Sequence, residues 1–556
     1  MGAVLMAEAG HMKTRSSLWP LLALLALLIA QAAMVFTRAV NWDEFFYYSQ
    51  VHQYLRGDPI APLQTMHVHL FGWLPRIADN PVDAIIAART VMFACELVTL
   101  IMIALVAERF SDRTTGLIAA LAYLSAGFVL QHGFSFRVDP PTTALLMSAL
   151  AVLARTKLHA LSIALFAVLI AIAGLFTIKI VLFAPAFAGI AWWRWSEAQF
   201  ARPFAARLIA AAIAAVALFA AFYWLHAADL AGNAGNAAVL DQGNNVIASS
   251  KEAVFFIGIP PYAQMIAKAV QLSIVLTGLI LLTPVALWKE DRARAAKLAL
   301  IGLWLPVLTL AFYRNTAPYY YAFMLAPVAA ACVPAIRLAL MRVQPAVLCG
   351  AMAVLTIPVL IAEDRETIAN QRIVIKEAGR MFDEPVAYFD HNGALAGYRK
   401  ANGFMTPWGL EGYQAHGKSM FRTIMERRTV PLLFENDQLL SDLLAGEDGS
   451  QMLFPEDSKV LQGNYVRVWG PVWLAGKDLP AQSSRETEIL VPGSYRAEGS
   501  GLSIDNRVIA DGQAITLDRG IHTLANTGQS AGRLVWAETA RMPAGDPPEG
   551  RIWIGF

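Results

Sequence analysis

Apolar residues in this chain come in long blocks, not with the period of a strand or a surface helix. Runs at about 18–40, 84–107, 114–133, 137–155, 159–177, 178–193, 205–226, 264–288, 297–313, 319–340 and 344–362 approach the ~20 residues that cross a bilayer. Eleven spans are therefore expected. The stretch 159–193 is broken only by Thr177 and Lys179. Arg155 and Lys157 precede it, and Arg194, Arg202 and Arg207 follow it. Basic flanks stay in the cytoplasm, so this stretch crosses twice and Lys179 falls near its outer turn. The first run is long and has no small-residue cleavage site before Asn41, so it is read as a retained span.

Beyond residue 362 the pattern changes. Arg365 to Met381 is helical in pattern, and so is Asp437 to Leu444. Strand signals lie at Val386–Phe389, Val430–Phe434 and Val466–Leu474, the first ended by Asp390-His391-Asn392-Gly393. Short strands at Glu488–Val491, Ala514–Leu517, Ile521–Leu524 and Arg533–Ala537 alternate with Gly, Asn and Asp turns. The predicted architecture is a multi-span α-helical membrane domain over 1–362. A soluble α/β domain over 363–480 and a β-sandwich-like domain over 481–556 follow it.

Composition agrees. Of the 556 residues 57% are hydrophobic and 15% charged, with mean hydropathy +0.48; a soluble domain carries about 25% charged residues. The net charge of +2 hides 24 Lys+Arg against 16 Asp+Glu in residues 1–362, and 20 against 26 beyond. That asymmetry is the signature of a membrane part followed by a soluble part, and the apolar composition excludes a nucleic-acid binder with a basic face. Cys95, Cys332 and Cys349 lie in apolar runs and build neither a disulfide framework nor a zinc pattern. Basic residues in the alternate connections put the N-terminus inside and, after eleven crossings, the tail outside. In a diderm bacterium this is the periplasmic side of the inner membrane.

With this topology the outer connections collect the chemistry. Asp43 and Glu44 stand at the exit of the first span and open an amphipathic stretch, Phe45 to Leu55, with Tyr47 and Tyr48. Two acids at a helix start also suit the helix dipole. His67 and His69 follow; as metal ligands they need a third partner, and none is evident nearby. Arg137, Lys179, Lys251, Lys268 and Arg314 are candidate phosphate partners, with snorkelling to headgroups as the alternative, above all for Lys268. Asp139-Pro140-Pro141 reads as a helix start, so Asp139 is either a cap or a catalytic acid. Tyr319 and Tyr320 stand beside Arg314.

The Asp43-Glu44 pair after the first span, the aromatic helix and the Gly57-Asp58-Pro59 turn resemble the GT-C membrane glycosyltransferases. The protein O-mannosyltransferase and aminoarabinose transferase branches come nearest. Lys179 and the Arg314…Pro318-Tyr319-Tyr320 turn fit the same pattern, and the resemblance covers 18–362. Where those enzymes carry His-Pro-Pro-Leu, this chain reads His67-Val68-His69-Leu70. The resemblance implies a polyprenyl-phosphate sugar donor and no cofactor. Asp43 is then the general base and Glu44 its orienting neighbour, with Asp139 next in line. Lys179, Arg314, Arg137 and Lys251 are donor-phosphate ligands. Tyr47, Tyr48, His67, His69, Tyr319 and Tyr320 line the substrate, and direct attack inverts the anomeric carbon. The acceptor is a glycan, lipid or protein that the sequence does not name. Two other readings compete. A polysaccharide polymerase or ligase would not need Asp-Glu straight after the first span. A lipid-linked sugar transporter would favour internal repeats and midplane polar residues, and neither is seen.

Overall fold

The computed structural model describes residues 2–234, 262–446, 452–538 and 540–555, with side chains described from Ser17 onward and not at 232–234. Each predicted apolar run has a helical counterpart. Helices α1 (Gly2–Thr37), α4 (Pro81–Glu108) and α10 (Arg202–Ala234) are the long ones. Between them lie α5 (Arg113–Leu124), α6 (Gly127–His132), α7 (Asp139–Arg155), α8 (Ala160–Phe176) and α9 (Ala184–Glu197). Four described helical segments are long and apolar enough to cross a bilayer, and two bent pairs bring this to six. Their outward faces carry Val216, Leu281 and Trp288, all widely exposed, as expected of side chains that meet lipid. The chain is a multi-pass helical membrane protein with a C-terminal sheet region.

Several runs read as single spans are broken. Residues 263–289 bend by 101° at Ser273, and residues 320–340 bend by 59° at Cys332. The second break has a local cause. Pro334 disfavours helical geometry at the residue before it and supplies no N–H to the turn. In the 159–193 stretch, α8 ends at Phe176 and Thr177 turns extended. The Thr177 hydroxyl accepts the Lys179 N–H, and a 3-10 segment, Ile178–Phe183, leads into Pro185 and α9. Lys179 therefore sits in the connection.

Between α1 and α4 lie α2 (Trp42–Arg56) and a short α3 (His67–Phe71). Asn41 caps α2 and forms a capping box with Glu44, which fixes the helix start at the two acids. At the other end Gly57 takes φ +71° and closes the helix.

In the soluble part β1 (Ala387–Phe389) pairs in parallel with β2 (Arg399–Lys400) and β3 (Leu432–Phe434). The run read as one strand over 466–474 is a hairpin. Gly470, at φ +47°, turns β4 (Tyr465–Trp469) into β5 (Val472–Leu479). The expected boundary at residue 480 falls at the end of β5. Strand β12 (Gly532–Trp536), from beyond it, pairs with β5 and with β7 (Gly493–Glu498), which pairs with β10 (Ala514–Leu517), so both segments share an eight-stranded sheet. Strands β6 (Ser483–Ile489), β8 (Leu502–Ile504), β9 (Arg507–Ile509) and β11 (Gly520–Asn526) form a second sheet.

The soluble part is fastened to the membrane part. One hydrophobic core runs from Phe45, Tyr48, Val51 and Ile85 into Val374, Phe389, Leu433 and Val535. The Gln371 side chain exchanges two hydrogen bonds of 2.8 Å with the Val40 backbone. Arg372 donates to Asp83 at 2.7 Å.

Candidate active site

The neighbouring acids Asp43 and Glu44 diverge. Glu44 is fully buried and meets Arg89 of α4 through both oxygens, at 2.7 and 2.5 Å. It also accepts the backbone N–H of Asn41 at 3.1 Å and of Phe136 at 2.8 Å. Arg89 in turn donates to the carbonyls of Arg38 (2.7 Å) and Ala39 (3.0 Å). One ion pair thus ties the end of α1, the start of α2, α4 and the segment before α7. The arrangement fits a positioning role for Glu44, because every contact it makes is to the scaffold. The like-charge coupling that adjacency suggests is replaced by a separate arginine for each acid.

Asp43 faces Arg137, with which it forms an ion pair. Arg137 reaches Asp139 as well, at 3.2 Å, and Lys179 pairs with the other oxygen of Asp139. Two carboxylates and two cations, from α2, the 133–138 segment, the start of α7 and the 178–183 connection, converge in one buried cluster. The guanidinium of Arg137 lies 3.3 Å from the centre of the Tyr319 ring and 5.6 Å from that of Tyr47, so two aromatic faces set its plane. Lys179 lies 5.7 Å from the Tyr319 ring. Asp139 is the first residue of α7, after Val138 at the cap position, and its carboxylate is paired with the two cations. The side chain of Asp43 is 10% exposed and that of Asp139 2%. Asp43 is therefore the more accessible of the two acids.

Other predicted residues sit elsewhere. Arg314 pairs at 2.5 Å with Glu411 of the soluble part and lies over the Trp408 ring. This half-exposed contact contributes at most about 1 kcal/mol, and it draws Arg314 toward the soluble part. Tyr320 is buried against Tyr313, its hydroxyl 2.6 Å from that of Thr309. Tyr48 is buried with its ring against His52. Both serve packing. His67 binds the Tyr47 carbonyl at 3.2 Å and packs edge-on against the Tyr47 ring. Burial pushes its pKa down to about 3, so it is a neutral prop for Tyr47. His69 shares a 2.7 Å hydrogen bond with His226 of α10. Among the described residues no group of three His, Cys, Asp or Glu is placed to hold a metal ion. Lys268 lies 5.9 Å from the Phe128 ring. Lys251, and most of the loop around it, lies outside the described residues.

Two residues outside the predicted set complete the site: Asn41, whose cap fixes the acids, and Arg89, the partner of Glu44. The signal for Asn41 was present, as Asn41-x-x-Glu44 has the spacing of a capping box.

No protein-family model matches the sequence, and no curated protein matches it. Solved structures do match. ArnT from Cupriavidus metallidurans in the apo state superposes with a TM-score of 0.55 at 10% identity, covering 82% of this chain and 97% of that one. The same protein bound to undecaprenyl phosphate gives 0.53 at 10% identity, covering 75% and 93%. ArnT is a GT-C membrane glycosyltransferase. The likeness to the GT-C enzymes read from the sequence thus holds at the level of the fold.

Proposed function

We propose that this chain is an inverting membrane glycosyltransferase that moves a sugar from a polyprenyl-phosphate donor to an acceptor hydroxyl. The observation that carries the reading is the buried Asp43–Arg137–Asp139–Lys179 cluster at the exit of α1. Ionisable groups at membrane depth are costly and mark function. The structural neighbour bound to undecaprenyl phosphate supports a lipid-phosphate donor.

The geometry supports the following roles. Asp43 takes the proton of the acceptor hydroxyl as its oxygen attacks the anomeric carbon. The bond from that carbon to the phosphate oxygen breaks, and its electron pair leaves with the polyprenyl phosphate. Arg137 and Lys179 stabilise that charge. Asp139, held by both cations, keeps them in place. The Tyr319 ring fixes the guanidinium plane. The transfer assay on an Asp43→Asn variant tests the reading, because removal of the base must slow transfer without unseating the donor.

The basic residues in the alternate connections read from the sequence support a cluster and C-terminal part on the periplasmic face of a bacterial inner membrane. A reporter active only in the periplasm, fused after Phe556, is therefore expected to be active. Activity of a cytoplasmic reporter alone at that position contradicts the topology.

A further inference from the structure

The soluble part presents a polar crown to α2. Open α/β sheets bind ligands at the carboxyl ends of their parallel strands. Here those ends carry Asp390-His391-Asn392-Gly393 after β1, Asn402 after β2 and Glu435-Asn436 after β3. Most of these groups are committed to one another. The Asp390 carboxylate accepts from Lys400 (2.7 Å), from Asn436 (3.0 Å) and from the backbone N–H groups of Gly393 and Ala394. Asn402 donates to the Asp390 carbonyl at 2.9 Å and accepts from Lys400 at 2.9 Å. Asn436 accepts the His391 N–H at 2.8 Å and donates to Asn392 at 2.6 Å. This network fixes the loop and leaves one imidazole over.

His391 is 6% exposed, and its Nδ1 has no hydrogen-bond partner, the Asp437 carboxylate standing 4.0 Å away. A buried polar atom without a partner costs stability. Its ring packs edge-on against Trp42, the residue before Asp43, with centroids 5.6 Å apart. The loop is pressed onto α2. Gly393 sits at φ +84°, and a Cβ there would fall 2.7 Å from the Ser49 side chain. Phe404 meets Phe46 of α2 at 4.5 Å. Burial holds the imidazole below the ordinary histidine range, against the pull of Asp437, so the ring is a neutral donor and acceptor.

We infer that the 390–393 loop is the second wall of the transfer site, and that His391 contacts a hydroxyl of a sugar bound beside Trp42 and Asp43. The inference rests on the transferase reading and adds to it a specificity residue from the soluble part. An uncharged imidazole next to an indole suits a polyol. The phosphate is left to Arg137 and Lys179, so recognition of sugar and carrier is divided between the two parts of the chain. The sugar belongs either to the donor or to the acceptor.

The test uses the full chain in nanodiscs, as wild type, His391→Phe and His391→Gln. Phe keeps the packing on Trp42 and removes the hydrogen bond; Gln restores donor and acceptor groups. Three quantities are measured. They are the affinity for undecaprenyl phosphate, the affinity for undecaprenyl phosphate bearing glucose, mannose or aminoarabinose, and half-saturation by a detergent extract of the whole envelope as acceptor. His391→Phe is expected to bind the bare carrier as the wild type does. Loss of one hydrogen bond weakens either sugar-linked donor binding or acceptor half-saturation by about three- to tenfold, and Gln recovers most of it. The first pattern assigns the sugar to the donor, the second to the acceptor. Three unchanged quantities overturn the inference, and so does an equal loss of affinity for the bare carrier. A wild type that binds no carrier lipid but folds overturns the transferase reading, and this inference with it.

Discussion

Asp43→Asn is expected to lower the rate of sugar transfer by about two to four orders of magnitude, the usual worth of a positioned general base. Asparagine keeps the size of the side chain and an oxygen for Arg137. Arg137 also keeps its contact with Asp139 at 3.2 Å, so the cluster stays assembled and a cation remains for the phosphate. The loss therefore belongs to the chemical step. The check is an initial rate at saturating donor, beside a direct measurement of donor binding. An unchanged binding constant with a collapsed rate is the expected pair of results. Near-normal transfer moves the base to another group, with Asp139 next in line.

Glu44→Gln is expected to act mainly through the fold. The substitution leaves Arg89, 1% exposed, without a counter-charge. Breaking one side of a buried ion pair costs about 3–5 kcal/mol. It also loosens the Phe136 N–H contact and, through the chain, the neighbouring Arg137. Thermal unfolding in detergent is expected to fall sharply for Glu44→Gln. The double variant Glu44→Gln/Arg89→Met removes the orphan charge and should recover part of the loss, which a double-mutant cycle reads as coupling. A Glu44→Gln protein as stable as the wild type, but slow in transfer, would return Glu44 to the chemistry.

The apolar helices were legible because long apolar runs report lipid directly, but their number as crossings was not: eleven were read, and among the described residues four to six are long and apolar enough to span. Their bends were less legible. The break at Cys332 carries the Pro334 signal, whereas the 101° break at Ser273 has no proline or glycine beside it. Asp43, Asp139, Arg137 and Lys179 stood out because charges at the ends of apolar runs are costly to place there. Their pairing was not legible. Adjacency suggested that Asp43 and Glu44 act together, but a capping box and two different arginines send them apart. Arg314 has the same sequence signature as Lys179, and only the packing of the soluble part separates them. The shared sheet was equally hidden, since β5 and β12 are more than fifty residues apart in the chain.

The most direct measurement is a cryo-EM map of the chain in nanodiscs with undecaprenyl phosphate. The account predicts a phosphate within hydrogen-bonding distance of Lys179 and Arg137, on the side of the cluster that Asp43 faces. A phosphate seated away from that cluster, with Asp43 and Arg137 still paired and no lipid beside them, contradicts it.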